Sequence, residues 1–148
     1  MMKTMPRRLK VVKEEYELLK SYVSAHRLPP GDEKNKSWLD EEDSVELIDE
    51  EDFPWEAVRL DSRVTIRENN GKLKYSYTVV MPDESDHRKC KVSVFSTIGS
   101  ALFGHQRGEI VSWTTVGGTR LFTILKVSRA TKRDRRGLLI GRRQGLKV

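Results

Sequence analysis

Cysteine is nearly absent: Cys90 is the only one in 148 residues, which excludes an intramolecular disulfide and any four-cysteine zinc site. With no helix start and no histidine motif beside it to lower its pKa, Cys90 reads as a small, partly buried residue next to a strand. Histidine is scarce as well. His26, His87 and His105 have neither i, i+4 spacing nor nearby acid pairs, so no metal centre and no catalytic triad is indicated. No apolar run approaches the ~20 residues that cross a bilayer. The opening stretch, MMKTMPRRLKVVKEEYELLK, holds no uninterrupted apolar region followed by a cleavage site. The expectation is a cytoplasmic, non-enzymatic protein with no cofactor and no metal of its own. Hydrophobic residues make up only 36% of the chain against 34% charged, so some segments are solvated and lie outside the core.

Charge is what the sequence has in quantity, and it is segregated. Residues 1–27 carry seven basic and three acidic side chains, and residues 28–56 carry two and twelve. Residues 57–125 carry ten and six, and residues 126–148 carry nine and one, for a net charge of +6. A basic chain suits a polyanion, because Lys and Arg release counterions from phosphates. The acidic block repels one, so the two ends face different partners or different parts of one large partner.

Periodicity divides the chain into three. In residues 9–25, Leu9, Val12, Tyr16, Leu19, Tyr22 and Val23 recur at three- and four-residue spacings, which predicts an amphipathic helix. Leu28-Pro29-Pro30-Gly31 stops it and reverses the chain. Ser37 with Asp40 then reads as an N-cap with an acidic first turn, and Trp38, Leu39, Val45 and Ile48 as the apolar stripe of a second helix fraying near Glu50. Residues 1–56 are thus expected to be a short helical hairpin arm, acidic in its second half. From Val58 the period becomes two. Residues 62–68 and 73–81 form a hairpin about Asn69-Asn70-Gly71, followed by a short strand at 91–95, a brief helix at 97–104 and strands at 109–115 and 120–127. This predicts an α+β body at 57–127, built of hairpins with one short helix. Residues 128–148 form a basic tail with little periodicity, expected to be mobile or ordered by a partner. Its Arg129, Lys132, Arg133, Arg135, Arg136, Arg142 and Arg143 lack interleaved aromatics. They are candidate contacts to DNA or RNA phosphates rather than to bases.

Four stretches of the body, in order and spacing, carry a resemblance: Val58-Arg-Leu-Asp-Ser-Arg-Val64, Val92-Ser-Val-Phe-Ser-Thr-Ile-Gly-Ser-Ala-Leu-Phe-Gly104, Gly108-Glu109 and Val116-Gly-Gly-Thr119. Together they resemble the C-terminal domain of the GreA/GreB transcription elongation factors. The resemblance implies an FKBP-like fold and binding to bacterial RNA polymerase, with no membrane association. It also implies a docking loop at the start of the short helix. The family usually has an acidic residue and a proline there, and the corresponding positions here are Phe95, Ser96 and Thr97. In the family an N-terminal coiled coil carries two tip carboxylates that help hold the polymerase's catalytic magnesium, and the candidates at the turn here are Asp32 and Glu33.

A helix of ~17 residues rises only ~25 Å, roughly half the arm of family members that stimulate transcript cleavage. The short-armed relatives known as regulator of nucleoside diphosphate kinase are the closer architectural match. The resulting expectation is a polymerase-binding regulator of elongation without efficient cleavage stimulation. Two other classes stay open: a nucleic-acid-binding protein acting through the basic tail, and a peptidyl-prolyl isomerase or chaperone on the same fold, for which the sequence offers no catalytic pocket.

Overall fold

The computed structural model describes residues 8–129 and two short strands beyond them, Lys132–Arg133 and Leu139–Ile140. Its centre is a five-stranded sheet made of β3 (Ser62–Glu68), β4 (Lys74–Val80), β5 (Lys91–Ser93), β6 (Ile110–Thr115) and β7 (Gly118–Arg129), in the order β5-β4-β3-β7-β6. A short helix, α2 (Thr97–Leu102), follows β5. The neighbouring pairs are antiparallel except β4 with β5, which run parallel. The α+β body is therefore as the alternation of apolar residues predicts. Val64 and Ile66 of β3, Val79 of β4 and Phe122, Ile124 and Val127 of β7 all face one side and are buried. In β7 the register slips by one residue opposite Thr65 and Ile66, a bulge that bends the strand.

The N-terminal part differs from a helical hairpin. Residues 9–12 form a strand, β1 (Leu9–Val12), and the helix α1 covers Lys13–Ala25. The expected second helix does not form. Pro30–Asp40 is a run of 3₁₀ turns, and Val45–Ile48 is a strand, β2, paired in parallel with β1. The physical reason lies in the burial. Leu39 and Val45 are both buried, whereas Glu46 and Leu47 are exposed. The apolar residues here meet the core singly, through tertiary contact, and the dense carboxylates between them gain nothing from a continued helix whose C-terminal end they would oppose.

One apolar core unites these parts. Val11, Tyr16, Leu19, Leu28, Leu39 and Val45 join Val58, Leu60, Phe95, Leu102, Phe103 and the inner sheet residues in a single buried cluster. Backbone bonds tie the parts further: the Lys10 amide donates to the Gly104 carbonyl at 3.1 Å, and the Gly104 amide to the Val58 carbonyl at 3.0 Å. Gly104 has φ +84, and a Cβ there would lie 2.7 Å from the Leu9 Cβ, so both the backbone sign and the close approach of β1 require glycine. The tail residues Lys132 and Arg133 form β8, which pairs antiparallel with β9 (Leu139–Ile140).

Candidate functional site

The loop between β5 and α2 is built by serine hydrogen bonds. The Ser96 hydroxyl accepts from the Gly99 amide at 3.0 Å and donates to the Ser93 carbonyl at 2.6 Å, while the Ser93 hydroxyl accepts from the Phe95 amide at 3.0 Å. Ser96 is thus the N-cap of α2 and satisfies a donor the helix cannot pair internally. Gly99 sits so close to β5 that a Cβ would fall 1.9 Å from the Ser93 carbonyl oxygen. The Ser-Thr-Ile-Gly spacing is therefore a packing requirement of this loop.

Of the three expected docking residues, Thr97 is exposed, Ser96 is partly exposed and Phe95 is fully buried. The Phe95 ring belongs to the core, tilted against Trp38 with ring centroids 6.4 Å apart, and Trp38 also lies 5.4 Å from Phe103. Only the hydroxyl-bearing residues of the loop, Ser96 and Thr97, present side chains to solvent.

The 3₁₀ segment that carries Asp32 and Glu33 lies against this same loop. Asn35 donates from Nδ2 to the Phe95 carbonyl at 2.9 Å, Trp38 covers Phe95 and Phe103, and the Tyr16 hydroxyl donates to the Leu39 carbonyl at 2.7 Å. Asp32 is half-buried, and burial raises its pKa. Glu33 is exposed and faces Lys36 at 3.7 Å. The Asn35 bond thus ties the segment that carries the two carboxylates to the helix-start loop, a juxtaposition of residues 60 apart that the sequence did not reveal.

A second cluster, also missed in the sequence, joins α1 to the acidic stretch and the body. Arg59 donates from Nε to Glu15 Oε2 at 2.8 Å, and from Nη1 and Nη2 to the two Glu50 oxygens at 2.6 and 2.9 Å. Glu15 also accepts from the Leu60 amide at 3.1 Å. The side chains of Arg59 and Glu15 are only 11% and 12% exposed. Burial raises the Glu15 pKa against the pull of Arg59, and hydrogen bonds from Arg59 lower that of Glu50. Burial works to lower the Arg59 pKa, but its bonds to Glu50 and the charge of Glu15 outweigh it and raise the value. Arg129 completes the cluster, 4.7 Å above the Trp55 ring and 3.9 Å from Glu50. Burial first, then the charge of Arg59, lowers the Arg129 pKa. The only signal in the sequence was the surplus of carboxylates in 28–56, which needs a cation somewhere.

Arg129, expected in the mobile tail, is thus the last residue of β7 and is engaged with Trp55. Lys132 and Arg133 are in β8, and Arg135, Arg136, Arg142 and Arg143 lie outside the described residues. Cys90 is exposed, not partly buried, and has φ +56 at the turn before β5. His105 Nδ1 lies 2.8 Å from Glu109. Among the described residues no group of three His, Cys, Asp or Glu side chains is placed to hold a metal ion, and no helix is long and apolar enough to cross a membrane.

The architecture defines an α+β protein in which a short, glycine-anchored helix and an N-terminal module cover one face of an open five-stranded sheet. The family model of the transcription elongation factor GreA/GreB C-terminal domain matches residues 54–129, and the chain belongs to that family. It is 36% identical over 86 residues to transcription elongation factor GreA of Flavobacterium johnsoniae, a match covering 58% of this chain and 54% of that protein. It is 35% identical over 83 residues to GreA of Roseiflexus castenholzii, covering 56% and 53%. The chain spans about half the length of the curated relatives it matches. A solved GreA/GreB elongation factor from Nitrosomonas europaea shares the fold, with a TM-score of 0.67 at 24% identity, over 82% of this chain and 98% of that one.

Proposed function

We propose that this chain is a cytoplasmic, RNA-polymerase-binding regulator of bacterial transcription elongation that docks through its FKBP-like body and does not efficiently stimulate transcript cleavage. Family membership over residues 54–129 supports the association with polymerase. The observation that carries the second half of the reading is the position of Asp32 and Glu33. A carboxylate pair that assists a distant magnesium must stand at the end of a projecting arm. Here α1 is 13 residues long, ~20 Å, and the segment after it is pinned to the body by the Asn35 bond to the Phe95 carbonyl and by Trp38. On this reading the carboxylates stay close to the body and do not reach a distant active centre. Within the family we place the chain with the short-armed branch, the regulators of nucleoside diphosphate kinase. The docking contacts assigned to the exposed edge are Ser96 and Thr97, with Phe95 holding the loop from beneath.

A pull-down with core RNA polymerase tests the docking. Wild type is retained, and Thr97→Arg on the exposed loop weakens retention at least about tenfold, the scale of a lost interface anchor of ~1.4 kcal/mol. A cleavage assay on arrested elongation complexes tests the rest: neither wild type nor Asp32→Ala/Glu33→Ala shortens the transcripts. Transcript shortening by wild type that the double variant abolishes would overturn the second half and leave the first standing.

A further inference from the structure

The sheet has two faces, and only one is accounted for by the core. By register, Arg63 and Arg67 of β3, Lys74 of β4, Lys91 of β5 and Lys126 of β7 share the opposite face: Arg63 pairs with Thr78, Thr78 with Lys91, Arg67 with Lys74, and Lys126 with Thr65. Four of the five are exposed, and Lys91 is half-buried. None forms an ion pair among the described residues, in a protein where Arg59, Arg107, Arg120 and Arg129 all do. The five strands contain one carboxylate, Glu68, and it is on the inner side, bound by Arg120 at 2.5 and 2.7 Å. Hydroxyls fill the spaces between the cations, with Thr65 and Ser76 3.1 Å apart across β3 and β4.

We infer that this outer sheet face is a binding surface for the phosphate backbone of nucleic acid. Charge complementarity selects the occupant: a plate of cations with no carboxylate of its own strands has a standing repulsion unless it meets a polyanion. Its dimensions fit a chain of phosphates. Arg63 and Arg67 lie ~13 Å apart along one strand, and four adjacent strands span ~14 Å, which covers several phosphates at ~3.4 Å of helix axis per strand. Hydroxyls and guanidinium groups are the usual donors to phosphate oxygens. The aromatic side chains of the sheet, Tyr75, Tyr77, Trp113 and Phe122, have the opposite parity in the register and sit on or against the core. The outer face therefore has nothing on which to stack a base, and binding is independent of sequence. The site differs from the tail in kind, being held rigid by the sheet, and it does not rest on polymerase docking.

The test uses the full chain with no polymerase present. Fluorescence anisotropy with a mixed-sequence single-stranded RNA of about 20 nucleotides and a DNA duplex of similar length is measured across a salt series. Arg63→Gln/Arg67→Gln/Lys74→Gln/Lys126→Gln is expected to bind at least about tenfold more weakly near 0.1 M salt, with the slope of log affinity against log salt reduced by ~3. Lys20→Gln/Lys34→Gln/Arg88→Gln/Lys89→Gln removes the same charge elsewhere and is expected to change affinity less than about threefold. Equal weakening by both variants, or by neither, would overturn the site. So would displacement of the probe by polyglutamate at equal charge concentration, which would mark the face as a surface for acidic polypeptides. A melting curve for each variant separates lost binding from lost folding, and the exposed positions leave the fold intact.

Discussion

Arg59 is the residue on which the N-terminal part and the body are joined, since one guanidinium serves Glu15 on α1, Glu50 in the acidic stretch and, through the ring of Phe53 at 5.7 Å, the apolar edge between them. Removing it leaves the Glu15 carboxylate buried without its counter-charge. Arg59→Ala is expected to cost about 2–4 kcal/mol, measured by urea unfolding at pH 7. Glu50 gives the cluster a pH dependence. Its folded pKa lies below the ordinary 4.5 because Arg59 hydrogen-bonds it. Its contribution is therefore complete above that value and is lost as the pH falls through the depressed folded pKa. Glu15, raised by burial, acts in the opposite sense, since its stability cost grows as the pH rises through its folded pKa. Comparing wild type with Glu50→Gln isolates the first group: the wild type is the more stable at pH 7, and the difference shrinks as the pH falls below the ordinary carboxylate value and is lost through the depressed folded pKa. A difference unchanged from pH 7 to pH 3 would show that Glu50 is not held by Arg59. None of this cluster was legible in the sequence, because Arg59 and Glu15 are 44 residues apart and ion pairing leaves no periodic trace.

At the scale of elements, what depends on local periodicity was readable and what depends on a distant partner was not. The hairpin of β3 and β4 about Asn69-Asn70-Gly71, the β6–β7 hairpin, and the short helix α2 follow from alternation and turn residues. α1 was legible from its spacing, though its first residues went to β1, because Val11 and Val12 also suit a strand and the deciding bond is to Val45–Ile48, more than thirty residues on. The stretch from Ser37 to Glu50 imitates a helix because Trp38, Leu39, Val45 and Ile48 fall at helical spacings, but its first residues end the 3₁₀ run and Val45–Ile48 is β2. Of the candidate site, the loop position was legible, but the burial of Phe95 and the approach of Asn35 were set by tertiary packing. Gly99 offers the test of the loop. Gly99→Ala is expected to destabilise by ~2 kcal/mol or more, since the added carbon meets the immovable Ser93 carbonyl. Ser100→Ala, on the solvent side of the same helix, stays within ~0.5 kcal/mol. Thermal melts followed by circular dichroism distinguish the two, and equal effects would mean that the loop can shift to make room.

For the molecule as a whole, the shared core has a direct consequence. Val11, Tyr16, Leu19, Leu39 and Val45 are buried against residues of the 54–129 region, so the two parts are expected to unfold together. Circular dichroism and tryptophan fluorescence, which reports on Trp38 and Trp113 in different parts, should give coincident transitions. A fragment restricted to 54–129 should melt at least about 10 °C lower than the full chain, because it exposes the inner faces of α2 and the sheet that α1, β1 and β2 cover. Separate transitions, or a fragment as stable as the whole, would show that the N-terminal module contributes little to the body.

The placement of β3 at the middle of the sheet also orders events during synthesis. Its two neighbours are β4, which follows within six residues, and β7, which begins fifty residues later. As the chain emerges from a ribosome, β3 and β4 can close their hairpin at once, but the other edge of β3 stays open until Gly118–Arg129 has cleared the exit tunnel. Val64 and Ile66 wait uncovered for the same interval, on an edge whose free amides and carbonyls can template another strand. Arg63 and Arg67 alternate with those two residues along that edge. Their charge is present from the moment the strand is made, and it is expected to disfavour edge-to-edge pairing of nascent copies before β7 arrives.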